Sequence, residues 1–96
     1  MSRASAVQIG NLSFSKKGDA LGFLRAMLNR YKPGERVNGD DASILAHALR
    51  RHPDAAVKIG PGIAHFDVRS ADYGTQCFWV TRIDGTTERF SYKSCV

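Results

Sequence analysis

Apolar residues recur at three- and four-residue steps up to Pro53 and at every second residue after Gly62, so helices are expected in the first half and strands in the second. The N-terminal stretch departs from this: Val7, Ile9, Leu12 and Phe14 predict one short strand from Val7 to Phe14, with Gly10 marking a bulge. Ser15 is placed to cap a helix of about Lys16 to Tyr31, along which Ala20, Leu21, Leu24, Met27, Leu28 and Tyr31 form one apolar stripe. Gly18, Gly22 and Ala26 leave a row of small residues on its far side. Lys32-Pro33-Gly34 stops it, because the residue before a proline is pushed away from helical angles. A second helix begins at Asn38-Gly39-Asp40-Asp41, whose side chains suit an N-cap and the positive end of a helix dipole. It buries Ile44, Leu45, Ala48 and Leu49, leaves Ser43, His47 and Arg50 on the solvent side, and ends before Pro53.

Gly60-Pro61-Gly62 punctuates the change of period. From Ile63 to Ser70 the residues alternate, with Ala64, Phe66 and Val68 on one face and His65, Asp67 and Arg69 on the other. A turn over Ala71 to Thr75 leads to strands of about Gln76 to Ile83 and Thr86 to Lys93, joined at Asp84-Gly85. A two-residue turn there sets Ile83 opposite Thr86, Trp79 opposite Phe90 and Cys77 opposite Tyr92. That register turns Cys77, Trp79, Ile83, Phe90 and Tyr92 toward the helices and leaves Gln76, Phe78, Val80, Arg82, Arg89, Ser91 and Lys93 on an outer face. Cys95 follows on the outer face, away from Cys77, which argues against a disulfide between them. The expected architecture is a two-layer α+β domain: strand, helix, helix, then a three-stranded antiparallel meander with the helices packed on one sheet face.

Ninety-six residues suffice for one core and exclude a multi-domain enzyme. With 43% hydrophobic and 24% charged residues the chain is neither disordered nor a disulfide scaffold. No apolar run is long enough for a membrane span or a secretion signal, so a cytoplasmic chain with free thiols is expected, loose only over about residues 1 to 6. A net charge of +5 directs attention to acidic partners. Most of that excess surrounds the first helix, where Lys16, Lys17, Arg25, Arg30, Lys32 and Arg36 face only Asp19 and Glu35. On the helical wheel these cations split between two flanks, consistent with a solvated face or with phosphate contact along the flank of Arg25 and Lys32.

The words HPDAAVKIGPGI, DYG, CFWVTRIDG and FSYKSC, in this order after two helices, resemble the "defective chloroplasts and leaves" (DCL) domain, a domain of unknown function. The resemblance runs from about Phe14 to the C-terminus and departs at Gln76, where a basic residue is expected before the Cys-Phe pair. It implies an α+β domain over residues 7 to 96, plant relatives acting in plastid ribosomal RNA maturation, and a similar module at the C-terminal end of a plant RNA polymerase large subunit. It implies no catalytic residue. Without a transit peptide, a stand-alone prokaryotic or phage-type protein is expected.

Three functions follow as expectations. The first is a non-catalytic module for RNA or single-stranded nucleic acid, with Phe78 as a stacking platform and Arg69, Arg82, Arg89 and Lys93 as phosphate contacts on the outer face, joined by Arg25 and Lys32 of the first helix. On the competing reading Phe78 and Val80 are covered by the N-terminal strand, a loop or a dimer partner. The second function is a protein-interaction adaptor docking a protein partner through Phe78 and Val80 or an open sheet edge. A small hydrolase or nuclease ranks last, since no acid/base pair assembles. His47 and His52 fall on different helix faces and no Cys-x-x-Cys spacing occurs, so neither a metal nor a cofactor is expected. Gly60-Pro61-Gly62 after Lys58 reads better as a tight turn than as an anion nest.

Overall fold

A computed structural model describes residues 6–71 and 74–96. The elements run β1 (Val7–Ile9), β2 (Leu12–Phe14), α1 (Lys17–Asn29), α2 (Gly39–Leu49), α3 (Ala55–Ile59), β3 (Ile63–Ser70), β4 (Gln76–Arg82), β5 (Thr87–Phe90) and a closing 3-10 turn (Tyr92–Cys95). The expected looseness of residues 1 to 6 and the turn at Asp72 and Tyr73 fall largely outside the described residues. The fold is α+β, with a three-stranded antiparallel sheet in the order β3-β4-β5 and a separate two-stranded sheet, β1-β2.

The single N-terminal strand is corrected to a hairpin: Val7 pairs with Phe14 and Ile9 with Leu12. The signal lay in the phase of the alternation, which runs 7, 9 and then 12, 14, so one continuous strand would place the two pairs on opposite faces. Gly10 makes the reversal at φ 58, and a Cβ there would come within 2.7 Å of the His47 ring. The hairpin tip thus sits directly on α2, and Val7 and Ile9 enter the core.

Both long helices form where their stripes predict, with Ala20, Leu24, Met27 and Leu28 buried on α1 and Leu45, Ala48 and Leu49 on α2. Lys16 rather than Ser15 holds the N-cap position of α1 and makes no side-chain cap; Ser15 instead donates from Oγ to Asp19. At α2 the Asn38 side-chain Oδ1 accepts from the backbone N–H of Asp41 at 2.8 Å. Asp41 itself is buried, and its Oδ2 receives the Tyr31 hydroxyl at 2.6 Å and the Arg30 guanidinium at 3.0 Å. The end of α1 is thereby clamped to the start of α2. Between them residues 34–37 run antiparallel along β3, with Val37 N–H donating to the Phe66 carbonyl and Val68 N–H to that of Glu35. The short helix α3 after Pro53 was not expected.

The β4–β5 register corrects the sequence reading most. Thr81 pairs with Thr87, Trp79 with Arg89 and Phe78 with Phe90, one residue away from the two-residue turn. Ile83, Asp84 and Gly85 form a three-residue loop closed by Arg82 N–H to the Thr86 carbonyl, with Gly85 at φ 88. This is the type I turn with a left-handed third residue that competes with two-residue hairpins. A one-residue slip exchanges the faces of a strand. Phe66, Val68, Phe78, Val80 and Phe90 therefore share the core face, with Phe78 and Val80 fully buried, while Cys77, Trp79 and Thr81 turn outward. Burying five large apolar side chains together is what favours this register. Ala64 leaves the core face at an irregularity between Ile63 and His65. β5 ends at Phe90, so Tyr92 and Lys93 belong to the 3-10 turn rather than to a strand.

Both cysteines are free thiols, but their expected environments are exchanged: Cys95 is in the core and Cys77 is half-exposed. Burial pushes the Cys95 thiol up from 9.0 to about 11, Arg51 opposing slightly. A folded-state value above the unfolded one means full stability below pH 9.0 and a loss as pH rises through about 11. Above both values the loss amounts to about 3 kcal/mol at most. Tyr31, also raised by desolvation and by Asp41, acts in the same sense above pH 10.0. Urea unfolding at a series of alkaline pH values checks this: the wild-type midpoint falls above pH 9.0, and Cys95→Ala lowers the starting stability but flattens that fall. An unchanged slope in the variant would refute the assignment.

Candidate nucleic-acid interface

The outer-face site expected from the sequence does not assemble. Phe78 is fully buried and Val80 with it, so neither offers a stacking platform or an adaptor patch. Arg69 does lie on the outer face, where its guanidinium is 4.5 Å over the Trp79 ring and 2.8 Å from Asp67. Arg82 is only 11% exposed in its side chain and is fully engaged. It binds the Glu88 carboxylate, the Thr86 hydroxyl at 2.9 Å and the carbonyls of Lys58 at 2.9 Å and Val57 at 3.3 Å. It is therefore a cap for α3, whose carbonyls lack partners in so short a helix. Lys32 is exposed in the turn after α1 and does not line the cleft that the remaining candidates share.

Arg25, Arg89 and Lys93 do converge, on a cleft of about 830 Å³ between the C-terminal half of α1, the start of β4, the end of β5 and the 3-10 turn. Each position follows from local structure. Arg25 projects from a flank of the buried stripe of α1, beside Leu28, Arg89 alternates away from the buried Phe90, and the 3-10 turn, opened by the Ser91 hydroxyl accepting from Lys93 N–H, presents Lys93. All three side chains are exposed, and among the described residues none is assigned an ion pair or side-chain hydrogen bond. Among the described residues no carboxylate lines the cleft. Tyr92, half-buried, stands edge-on to Phe78 at 6.4 Å, so its ring is braced by the core beneath.

Three further lining residues were missed as site residues. Gln76 donates from Nε2 to the carbonyls of Leu28 and Tyr31, both at 2.7 Å, and so fastens the α1 terminus to β4. His52 accepts from Asp54 N–H at Nδ1, which directs its other ring nitrogen to carry the proton. Lys58 reaches the cleft from α3 while its ammonium binds Glu88 at 2.8 Å and the Arg89 carbonyl at 3.2 Å. The Lys58 hydrogen bond, with help from Arg82, holds the Glu88 carboxyl below its ordinary value. The KIGPG punctuation was the one sequence sign that Lys58 stands at a turn in the fold.

What the fold and this cleft define is a small α+β domain with a concave, cationic pocket beside a braced tyrosine. Residues 25–96 match the family described as "Protein of unknown function (DUF3223)", and the chain belongs to it. It is 40% identical over 74 residues to DNA-directed RNA polymerase IV subunit 1 of Arabidopsis thaliana, covering 76% of this chain and 5% of that protein. To Protein DCL, chloroplastic, of Solanum lycopersicum it is 36% identical over 81 residues, covering 79% of this chain and 36% of that one. It thus spans less than half of each of these curated relatives. The solution NMR structure of an uncharacterized protein from Rhodospirillum rubrum superposes with a TM-score of 0.91 at 57% identity, covering all of this chain and 92% of that chain. The expected likeness to the DCL domain is borne out by these matches. No helix among the described residues is long and apolar enough to cross a membrane.

Proposed function

We propose that this domain is a non-catalytic binding module for single-stranded RNA, working in the cytoplasm, and that its contact surface is the cleft rather than the outer sheet face. The observation that carries the reading is the convergence of Arg25, Arg89 and Lys93, without carboxylate partners among the described residues, around the braced ring of Tyr92. Cations without internal partners meet phosphates at no cost in broken ion pairs, and an aromatic ring held by the core stacks a base with little loss of side-chain freedom. The RNA polymerase subunit among the relatives, and the ribosomal RNA setting that the DCL likeness implies, support this reading.

Binding of a labelled oligouridylate, followed by fluorescence anisotropy across a salt series, tests it. About three phosphate contacts give a slope near −2 in log K against log salt for a single strand. The triple variant Arg25→Ala, Arg89→Ala, Lys93→Ala is expected to lose at least about tenfold in affinity at low salt and most of the slope. Wild-type affinity and slope in this variant would reject the cleft as the contact surface.

A further inference from the structure

The cleft is not the only concavity beside β5. A second hollow of about 440 Å³ lies next to it, lined by Trp79, Thr87 and Glu88 and sharing Lys58 and Arg89 with the cleft. The two meet at the outer edge of the sheet, since β5 is the edge strand. Arg82 and Thr86 form a hydrogen-bonded pair, so strand alternation turns the backbone groups of Thr87 and Arg89 away from β4. The Lys58 ammonium on the Arg89 carbonyl shows that direction. Glu88 offers little repulsion at this crossing, because Lys58 and Arg82 both bind its carboxylate.

Beyond the crossing stands Trp79, the only tryptophan of the chain. It is half-buried on the outer face, and Arg69 lies over its ring. Its indole N–H is buried with no hydrogen-bond partner among the described residues. The ring therefore lacks the bond that usually fixes a buried tryptophan in one orientation.

We infer that the binding path continues from the cleft over the edge of β5, past Arg89 and Lys58, to Trp79, so that the ligand is an extended single strand with one base against the cleft tyrosine and another against Trp79. This rests on the nucleic-acid reading above and adds the length and course of the ligand. The exposed cations Arg25, Lys93 and Arg89, the last at the edge itself, with an aromatic on each side of it, match the alternation of phosphate and base along a single strand. Paired bases within a duplex would not be free to stack at either ring.

Trp79 emission tests the path directly. The full chain is titrated at low salt with a uridine dinucleotide and with an oligouridylate of about eight nucleotides, and amide shifts at Arg25 and Lys93 are followed in parallel. Both ligands are expected to shift the cleft amides, whereas only the longer one quenches Trp79. Trp79→Leu is expected to weaken the longer ligand about tenfold and to leave the dinucleotide unchanged. If the longer ligand shifts the cleft amides with Trp79 emission unaltered, the path ends at the cleft and the extension is wrong while the module reading stands. If neither ligand shifts any amide, both are wrong. The quenching is read on the wild-type chain, so a poorly folding Trp79→Leu does not remove the test.

Discussion

Replacing Phe78 with alanine is expected to cost about 3–5 kcal/mol, a large share of the roughly 5–15 kcal/mol that holds a domain of this size together. The ring is fully buried, lies against Phe90 at 5.9 Å and meets Tyr92 edge-on at 6.4 Å. Its strand neighbours are Val68 on one side and Phe90 on the other, so truncation opens a cavity in the middle of the sheet's inner face. Urea denaturation reads the loss. Trp79→Ala, next in sequence, removes a half-exposed ring and is expected to cost distinctly less. A two-residue turn at Asp84-Gly85 would reverse this order. The pair of variants thus tests the register, and with it which face of β4 is available to a ligand.

The second large effect is expected at Asp41. Its carboxylate is buried and accepts from Tyr31 and Arg30, while Asn38 N–H donates to the Tyr31 hydroxyl. Asp41→Ala leaves the Tyr31 hydroxyl without its acceptor and frees the α1–α2 connection. A cost of about 2–3 kcal/mol is expected, since bonds to a charged acceptor are the stronger kind and the stranded donor must be desolvated. Asp41→Asn keeps an acceptor in place and should recover part of it. A double-mutant cycle with Tyr31→Phe isolates the pair. A coupling near zero would mean that the Tyr31–Asp41 bond does not hold the α1 terminus, leaving the Arg30–Asp41 pair and Gln76 to do so.

The layered fold, both long helices and the strands of the meander were legible in the sequence because their apolar positions repeat at one period and their ends carry proline, glycine or an asparagine cap. The face of β4 was not. Cys77 and Trp79 on one parity and Phe78 and Val80 on the other are both apolar pairs, so alternation cannot choose between them. The choice passes to a turn, where Asp84-Gly85 suits either a two-residue loop or the last two places of a three-residue one. Once the register slips, Phe78 leaves the surface, and the candidate site moves with it. Arg25, Arg89 and Lys93 were found for their charge but placed in the wrong geometry; Arg69 and Arg82 carry the same charge and are spent on Asp67, Trp79, Glu88 and the α3 carbonyls. Net charge does not distinguish a cation that is free from one that is engaged. Only the fold separates them.

Amide chemical-shift mapping with a short single-stranded RNA at low salt tests the central claim most directly. The account predicts that the largest shifts fall at the cleft, around Arg25, Arg89 and Lys93, and fade as salt is raised. Shifts centred instead on α2 and the β1–β2 hairpin, or none at low salt, would contradict it.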